Sequence, residues 1–182
     1  MRKFLASVID VVEVVVIAVA AVVVIRAFLV QPFLVSGTSM APNFENGDYV
    51  LVDELTYRLR APERGEVVVF RDPQDLSTYF IKRVIGLPGE TVKIMNNAVT
   101  VTNAQNPNGI KLGEPYIPSG VMTSGDESYT LSSSTYLVLG DNRPLSFDSR
   151  SWGSLPAKNI VGVVRVRLWP VNEITAFAAP KY

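Results

Sequence analysis

The chain of 182 residues contains neither histidine nor cysteine. Without histidine it cannot build a Ser-His-Asp triad or a metal site based on imidazole. Without cysteine it has no thiol nucleophile, no thiolate metal ligand and no disulfide. A hydrolase of this composition must take its general base from Lys, Asp, Glu or Tyr, and we expect neither a metal nor another cofactor.

An excess of charge of either sign is also missing, since 17 Lys and Arg residues balance 17 Asp and Glu residues. A balanced chain gives no indication of a nucleic-acid or polyanion partner. The length suffices for one compact domain with a short accessory segment. The oligomeric state is left open by the sequence.

One long apolar run lies near the N-terminus. From Val11 to Val30 it comprises 20 residues, interrupted only by Glu13 and Arg26. At about 1.5 Å of rise per residue, a helix of that length covers a bilayer core of roughly 30 Å. The run predicts that residues 1–30 form a single-pass membrane anchor, with the lipid bilayer as its partner.

Two other interpretations of this run remain open. A cleavable signal peptide would use Arg2 and Lys3 as its n-region and Ala18–Ala20 as its cleavage site, but the apolar run continues for ten residues beyond that site. A buried core helix is disfavoured because no polar face recurs along Val14–Ile25. For an anchor, the two N-terminal cations favour a cytoplasmic amino terminus, which places residues 31–182 on the extracytoplasmic side of the membrane.

After Pro32 the chain consists of short runs rich in Val, Ile, Tyr and Phe, separated by turn residues. Such runs predict β-strands, and Asn96 and Asn97 between two of them indicate a hairpin turn, since Asn tolerates positive φ. Residues 103–134 are rich in Asn, Gly, Pro and Ser and are interpreted as a loop-rich insertion. We therefore predict an all-β domain of twisted antiparallel sheets. The predicted strands are Tyr49–Val52, Glu66–Phe70, Tyr79–Ile85, Thr91–Met95, Ala98–Thr102, Tyr136–Leu139 and Ile160–Leu168.

Two blocks contain a candidate nucleophile and a candidate base. In Val35–Pro42 (VSGTSMAP), Ser39 lies between small residues and a proline, which suits an exposed hydroxyl on a tight loop; by itself this pattern equally fits a Gly/Ser turn. In Tyr79–Glu90 (YFIKRVIGLPGE), Lys82 shares a strand face with apolar neighbours. Burial there would lower its pKa and supply a neutral amine as base, whereas an ordinary edge-strand lysine would keep its head in solvent.

A third block, Gly140–Gly153 (GDNRPLSFDSRSWG), is dense in polar residues and follows an apolar strand. Its charged side chains can pair into an ordered scaffold, and Ser146 can orient a nearby amine. A generic surface loop could also contain such residues. The charged members are Asp141, Arg143, Asp148 and Arg150.

Together the blocks resemble the bacterial type I signal peptidases, in particular the short forms of Gram-positive type. The matching motifs are Ser39–Pro42, Lys82–Glu90 and Gly140–Gly153, and Arg64–Phe70 and Gly113–Tyr116 are also similar to the family. The resemblance implies a serine endopeptidase with a Ser/Lys dyad that acts on preproteins with signal peptides. It also implies the all-β fold that these enzymes share with repressor-type proteases.

The resemblance implies roles residue by residue. Ser39 would be the nucleophile and oxyanion donor, Lys82 the general base, and Ser146 would hydrogen-bond Lys82 and orient its amine. We expect Arg83 to pair with Asp148. The supporting residues are Asp148, Arg150, Arg83, Gly37, Met40, Pro42, Asp141 and Asn142.

The sequence departs from the family pattern in three places. Some members have a serine as second oxyanion donor where this chain has Gly37, so that donor is not identified, and Ser36 stands one place further back. Asn43 and Phe44 replace the common Thr-Leu after the proline. The insertion is too short for the large second domain of some Gram-negative members.

Three further functions remain as alternatives. A dedicated peptidase for a subset of substrates, such as pilus subunits, would carry the same motifs. A non-catalytic membrane scaffold of the same fold would not need every catalytic side chain. A self-cleaving regulator with a Ser-Lys dyad would be expected to have a DNA-binding segment where this chain has its apolar run.

Overall fold

The computed structural model describes residues 10–20 and 30–180. Residues 10–20 are helical (α1) and exposed. Among the residues described, no helix combines the length and the apolar character needed to cross a membrane. The predicted anchor also includes residues 1–9 and 21–29, which lie outside the described part of the chain, so the anchor stays a prediction.

Two antiparallel sheets make up the body of residues 30–180. The larger has the strand order β1-β2-β11-β3-β4-β9-β10, with β12 added to β11, and the smaller has the order β7-β6-β5-β8. The strands are β1 Val30–Leu34, β2 Tyr49–Asp53, β3 Val67–Arg71, β4 Tyr79–Gly86, β5 Thr91–Met95, β6 Ala98–Thr102, β7 Ile110–Lys111, β8 Glu127–Thr130, β9 Thr135–Leu139, β10 Leu155–Pro156, β11 Ile160–Trp169 and β12 Thr175–Ala176.

Helix is scarce in this body. The short helices are α2 Thr56–Leu59 and α3 Ser149–Trp152, and single 3₁₀ turns cover Arg143–Leu145, Ala157–Asn159 and Val171–Glu173. The all-β prediction for the domain is confirmed. The seven predicted strands correspond to β2, β3, β4, β5, β6, β9 and β11, each within one residue at either end.

The predicted hairpin turn between β5 and β6 is confirmed. Asn96 and Asn97 have φ values of 51° and 59°, and positive φ at both central residues is the signature of a type I′ turn. This turn matches the right-handed twist of the strands it joins. The register of the smaller sheet is thereby fixed locally.

Two segments have a different secondary structure from the one predicted from the sequence. Val30, taken as the end of the apolar run, begins β1, whose partner is β2. Pro32 lies within β1 and cannot donate to a ladder, which is compatible with the edge position of this strand. Residues 103–134 are not only loop, because they supply β7 and β8 to the smaller sheet.

The larger sheet is buried on both faces at its central strand β3. Successive residues of β3 alternate between two apolar clusters: Val67 and Val69 pack with the residues that follow β1, whereas Val68 and Phe70 pack with Val84 on the other face. Continuous apolar sequence in a strand is the expected result of burial on both sides. The sheet is therefore a rigid base for the loops at its edge.

Candidate active site

Ser39 lies in the loop between β1 and β2, which we call the nucleophile loop (residues 35–48). The Val35 N–H donates to Asp48 O at 2.8 Å and closes the loop at its base. Met40 and Phe44 insert into the core and are 1% and 0% exposed. Because buried side chains anchor the loop on the far side of Ser39, its hydroxyl is presented from a fixed backbone.

The predicted supporting residues Met40 and Pro42 both lie in this loop, and the Ala41–Pro42 peptide bond is cis. Asn142 holds the loop from outside. Its backbone N–H donates to Ser39 O at 3.0 Å, and its Nδ2 donates to Thr38 O at 3.0 Å. The third sequence block therefore contacts the first through the backbone of the candidate nucleophile.

Lys82 on β4 meets Ser39 directly. Its Nζ donates to Ser39 Oγ at 2.8 Å and to Ile81 O at 2.9 Å, and the residue is 3% exposed. Burial lowers the pKa of Lys82 from 10.5 to about 8, against the opposing effect of the Asp148 and Asp141 carboxylates. A buried lysine with this pKa is neutral for much of the time near pH 8 and can then accept the Ser39 proton.

A groove of about 300 Å³ opens over this pair. Its lining is mainly apolar and comes from β1, the nucleophile loop, β4 and the segment after the 3₁₀ turn Arg143–Leu145. A groove of this kind can accept a short extended peptide with its carbonyl at Ser39. The lining residues include Phe33, Val35, Ser36, Val50, Val69, Tyr79, Ile81, Leu145 and Phe147.

Ser146 is close to the pair but does not bind Lys82. Its Oγ is buried and meets no hydrogen-bond geometry with a described residue; it lies near the Asp148 carboxylate, whose pKa it helps to lower. The amine of Lys82 is bonded to Ser39 and Ile81 instead. The expected Ser146–Lys82 hydrogen bond is therefore not formed. Ser146 packs against Gly140, on the side where the Ser39 carbonyl also approaches.

Asp148 and Arg150 form a buried ion pair next to this contact. Arg150 Nη2 lies 2.8 Å from Asp148 Oδ2, which also accepts the Gly140 N–H at 3.0 Å. Burial alone would raise the pKa of Asp148, but the hydrogen bonds from Arg150 and Gly140 hold it below its ordinary value. The carboxylate is thus a fixed negative charge that orders the 140–150 block.

The expected pairing of Arg83 with Asp148 is wrong, because Arg83 pairs with Asp141. Arg83 Nη2 and Nε lie 2.6 and 2.8 Å from the two carboxylate oxygens of Asp141. Asp141 also accepts Asn43 Nδ2 at 2.9 Å. The Asp148 carboxylate is already bound by Arg150 and by the Gly140 N–H.

The partners of Arg143 could not be predicted from the sequence. This side chain is fully buried and binds the carboxylate of Glu114, Thr123 Oγ1 and Gly140 O. Glu114 and Thr123 both belong to the presumed insertion of residues 103–134. The only sequence signal for them was the family-like segment Gly113–Tyr116.

Backbone donors for an oxyanion are limited here. Within residues 30–180 the Ser39 N–H has no hydrogen-bond acceptor in the protein, so it is free to bind one. The N–H of Gly37, whose φ is +92°, already donates to Asn46 Oδ1 at 2.9 Å. Gly37 therefore shapes the loop, and the Ser39 N–H is available as a donor.

Gly140 is the point where the blocks touch most closely. A Cβ at this position would lie 2.1 Å from Ser146 Oγ and 2.4 Å from Ser39 O. We expect Gly140→Ala to displace the Ser39 backbone and to lower kcat/KM by about 100-fold, because misplacement of about 1 Å has effects of that size. Steady-state assays of cleavage will measure it.

Gly113→Ala is the matched control, since a Cβ at Gly113 meets nothing within 4 Å. It is expected to retain cleavage within about twofold, as substitutions away from packed sites usually do. Activity of Gly140→Ala equal to that of this control would contradict the close approach.

Comparison with known proteins gives a consistent result. The model of the family "Signal peptidase, peptidase S26" matches residues 8–169. A signal peptidase I of Leptolyngbya laminosa is 38% identical over 164 residues, covering 86% of this chain and 77% of that protein. A signal peptidase I of Bacillus licheniformis is 34% identical over 173 residues, covering 90% and 89%. A crystal structure of a signal peptidase I from Enterococcus faecalis matches with a TM-score of 0.48 at 30% identity, covering 57% of this chain and 97% of that one.

Proposed function

The chain belongs to the peptidase S26 family of signal peptidases, and from that premise we propose that it removes signal peptides from preproteins through a Ser39–Lys82 dyad. One observation carries the proposal. Lys82 Nζ lies 2.8 Å from Ser39 Oγ in a site where the lysine is 3% exposed. A nucleophile and a base within hydrogen-bond distance, with the base desolvated, are what acyl transfer without histidine requires.

The reaction follows from this contact. Neutral Lys82 takes the Ser39 proton as Oγ attacks the scissile carbonyl carbon, and the Ser39 N–H stabilises the resulting oxyanion. When the intermediate collapses, the C–N bond breaks and Lys82 returns the proton to the departing amine. Lys82 then takes a proton from water as the water oxygen attacks the ester carbon, and it returns that proton to Ser39 Oγ as the C–O bond breaks and the signal peptide is released. Ser146 makes no contact with the dyad amine here, so we assign it no step.

The substrate proposal rests on the groove and on the relatives. The groove over Ser39 is mainly apolar, which suits an extended apolar peptide, and the resemblance to signal peptidases implies small residues at the first and third positions before the cut. We further propose that the apolar run from Val11 to the residue before β1 anchors the chain in the plasma membrane and places the peptidase domain on the extracytoplasmic side. Anchoring brings the site to the surface where a signal peptide is embedded and raises its effective concentration.

Cleavage of preproteins by the purified full chain in detergent tests this proposal. Several preproteins with different signal peptides are incubated with the protein, and the new N-termini are sequenced. We expect one cut in each, directly after the signal peptide, with small residues at the first and third positions before it. Intact preproteins after prolonged incubation would contradict the proposed function.

The same reaction has an expected pH dependence. Because the pKa of Lys82 is lowered to about 8, the base is protonated below that pH and neutral above it. We expect kcat/KM to rise about tenfold per pH unit below the midpoint and to level off above it. A rate that is already constant from pH 5 upward would show that Lys82 is not the base.

A further inference from the structure

Arg167 is a buried cation near the C-terminal end of β11, remote from the sequence blocks that carry the dyad. Its side chain is only 10% exposed. Such a charge must be paired and hydrogen-bonded to be tolerated. The contacts of Arg167 therefore identify the segments of the chain that its charge connects.

One set of partners is in the nucleophile loop. Arg167 Nη2 donates to Asn43 O, and Nε lies 3.1 Å from Asp48 Oδ2, an ion-pair contact outside hydrogen-bond geometry. Asp48 in turn accepts the Glu45 N–H at 2.9 Å and provides the carbonyl that closes the loop at Val35. The guanidinium thus spans the second half of the loop that presents Ser39.

The other set is in the segment that follows β11. Arg167 Nη1 donates to Glu173 Oε2 at 2.7 Å. The guanidinium carbon lies 5.9 Å from the ring centroid of Phe44 and 5.7 Å from that of Phe177, and the two rings are 4.4 Å apart. The cation therefore stacks on a pair of rings of which one belongs to the nucleophile loop and one to the later segment.

The loop is held from the opposite side as well. Asn43, whose carbonyl binds Arg167, donates through Nδ2 to Asp141 Oδ2 at 2.9 Å and to Tyr116 O at 2.8 Å. Between Asn43 and Ser39 there is one turn, closed by the Phe44 N–H donating to Met40 O at 3.0 Å. A change at Arg167 is therefore transmitted to Ser39 through a short turn that this hydrogen bond closes.

We propose that Arg167 is a positioning residue for Ser39, acting through Asn43 and Phe44 to fix the nucleophile against Lys82. The role rests on the proposed peptidase function. Arg167 touches neither member of the dyad, and it does not line the groove. Its loss should therefore change kcat, which depends on the geometry of the dyad, and leave KM nearly unchanged.

Arg167→Gln in the full chain tests this, with Arg165→Gln as the matched control. Arg165 lies two residues earlier on β11, is more exposed, and binds Asp53 and Thr56 instead of the nucleophile loop. We expect kcat of Arg167→Gln to fall about 10-fold or more with KM within about threefold, since small misplacements act on the chemical step. For Arg165→Gln both constants should stay within about twofold.

A titration without substrate separates positioning from a general loss of stability. The protein is labelled with ¹⁵N at the lysine side chains, and the pH titration of Lys82 is followed by NMR. In Arg167→Gln the midpoint of this titration should shift upward by about 0.5 pH unit or more, because a displaced Ser39 admits water to the amine. It should not shift in Arg165→Gln. The titration tests the role of Arg167 independently of preprotein cleavage. If the wild type cleaved no preprotein, that result would count against the proposed function alone.

Arg167→Lys keeps the buried charge and covers the case in which the glutamine variant fails to fold. A lysine ammonium cannot reproduce the planar fork that reaches Asn43 O, Asp48 and Glu173 together. We expect an intermediate kcat, about threefold below the wild type, and a smaller upward shift of the Lys82 midpoint. Two results would overturn the proposal. One is an Arg167→Lys variant whose kcat and Lys82 titration midpoint equal those of the wild type. The other is an Arg167→Gln variant whose values equal those of Arg165→Gln.

Discussion

Ser39→Ala is expected to abolish preprotein cleavage, with kcat/KM lowered by about 10⁴-fold or more. The hydroxyl is the only group that the dyad presents to the substrate, and loss of a covalent nucleophile removes the acyl-enzyme pathway completely. The residual rate should reflect binding and the Ser39 N–H alone. Cleavage of a preprotein, followed by gel shift and N-terminal sequencing, measures it.

The fold should survive this change. The Oγ contacts Lys82, but the loop is anchored by the side chains of Met40 and Phe44 and by backbone bonds to Asn142. The far-ultraviolet circular dichroism spectrum and the melting temperature of Ser39→Ala should stay close to those of the wild type. Ser154→Ala, at an exposed serine outside the groove, serves as the control and should cleave normally. Substantial cleavage by purified Ser39→Ala would exclude Ser39 as the nucleophile.

The strands were predictable because apolar runs and turn residues are local signals. The clearest case is Asn96-Asn97, where the residue type and the required positive φ coincide. The strand β1 was obscured because its first residue, Val30, continues an apolar run, and periodicity cannot distinguish a strand from the end of a helix over so few residues. The strand β7 has only two residues, and β8 pairs with β5, which lies well before it in the chain; the composition of residues 103–134 reveals neither pairing.

The contact between Ser39 and Lys82 was predicted on different grounds. Composition excluded histidine and cysteine, strand alternation placed Lys82 among apolar neighbours, and the resemblance to signal peptidases implied that the two residues act as a pair. The polar partners were not predictable to the same degree, because several arginines and aspartates in one block allow several pairings. Arg83 pairs with Asp141, and Arg150 pairs with Asp148. These pairs are determined by where the tertiary structure places the residues.

The lack of a local sequence signal also explains why no role could be predicted for Arg167. A lone arginine at the end of an apolar strand is ordinarily a solvated residue. Its importance comes from contacts with Asn43 and Phe44, more than a hundred residues earlier in the chain. Long-range polar contacts of this kind have no local signature, and the structure supplies what the sequence does not.

Lys82→Met is expected to lower kcat/KM by about 10³-fold or more while making the protein more stable at pH 7. Members of a catalytic pair are not additive, so loss of the base removes most of what the nucleophile contributes. Stability should change in the opposite direction. In the wild type the folded-state pKa of Lys82 is about 8 instead of 10.5, so the unfolded chain binds the proton more tightly.

The sign of this linkage can be stated in full. Where the pKa is lowered on folding, stability rises with pH between about 8 and 10.5 and is lowest below about 8, where the folded protein carries a buried cation. Methionine has a similar length and no charge to desolvate. We therefore expect Lys82→Met to gain about 1–3 kcal/mol in the free energy of unfolding at pH 7, measured by denaturant titration, and to lose this advantage by pH 10.

Two further variants separate the base from the charge. Lys82→Arg keeps a donor near Ser39 Oγ but cannot lose its proton at accessible pH, so it should be as inactive as Lys82→Met without the gain in stability. Lys93→Met, at an exposed position on β5, controls for the loss of a lysine and should change neither property. An active Lys82→Arg variant would show that the amine only donates to Ser39 and that some other group accepts the proton. Since the chain has no histidine, that group would have to be another lysine, a carboxylate or a tyrosine. The carboxylates that act on the charge of Lys82 are those of Asp141 and Asp148. Both are bound in ion pairs with arginine.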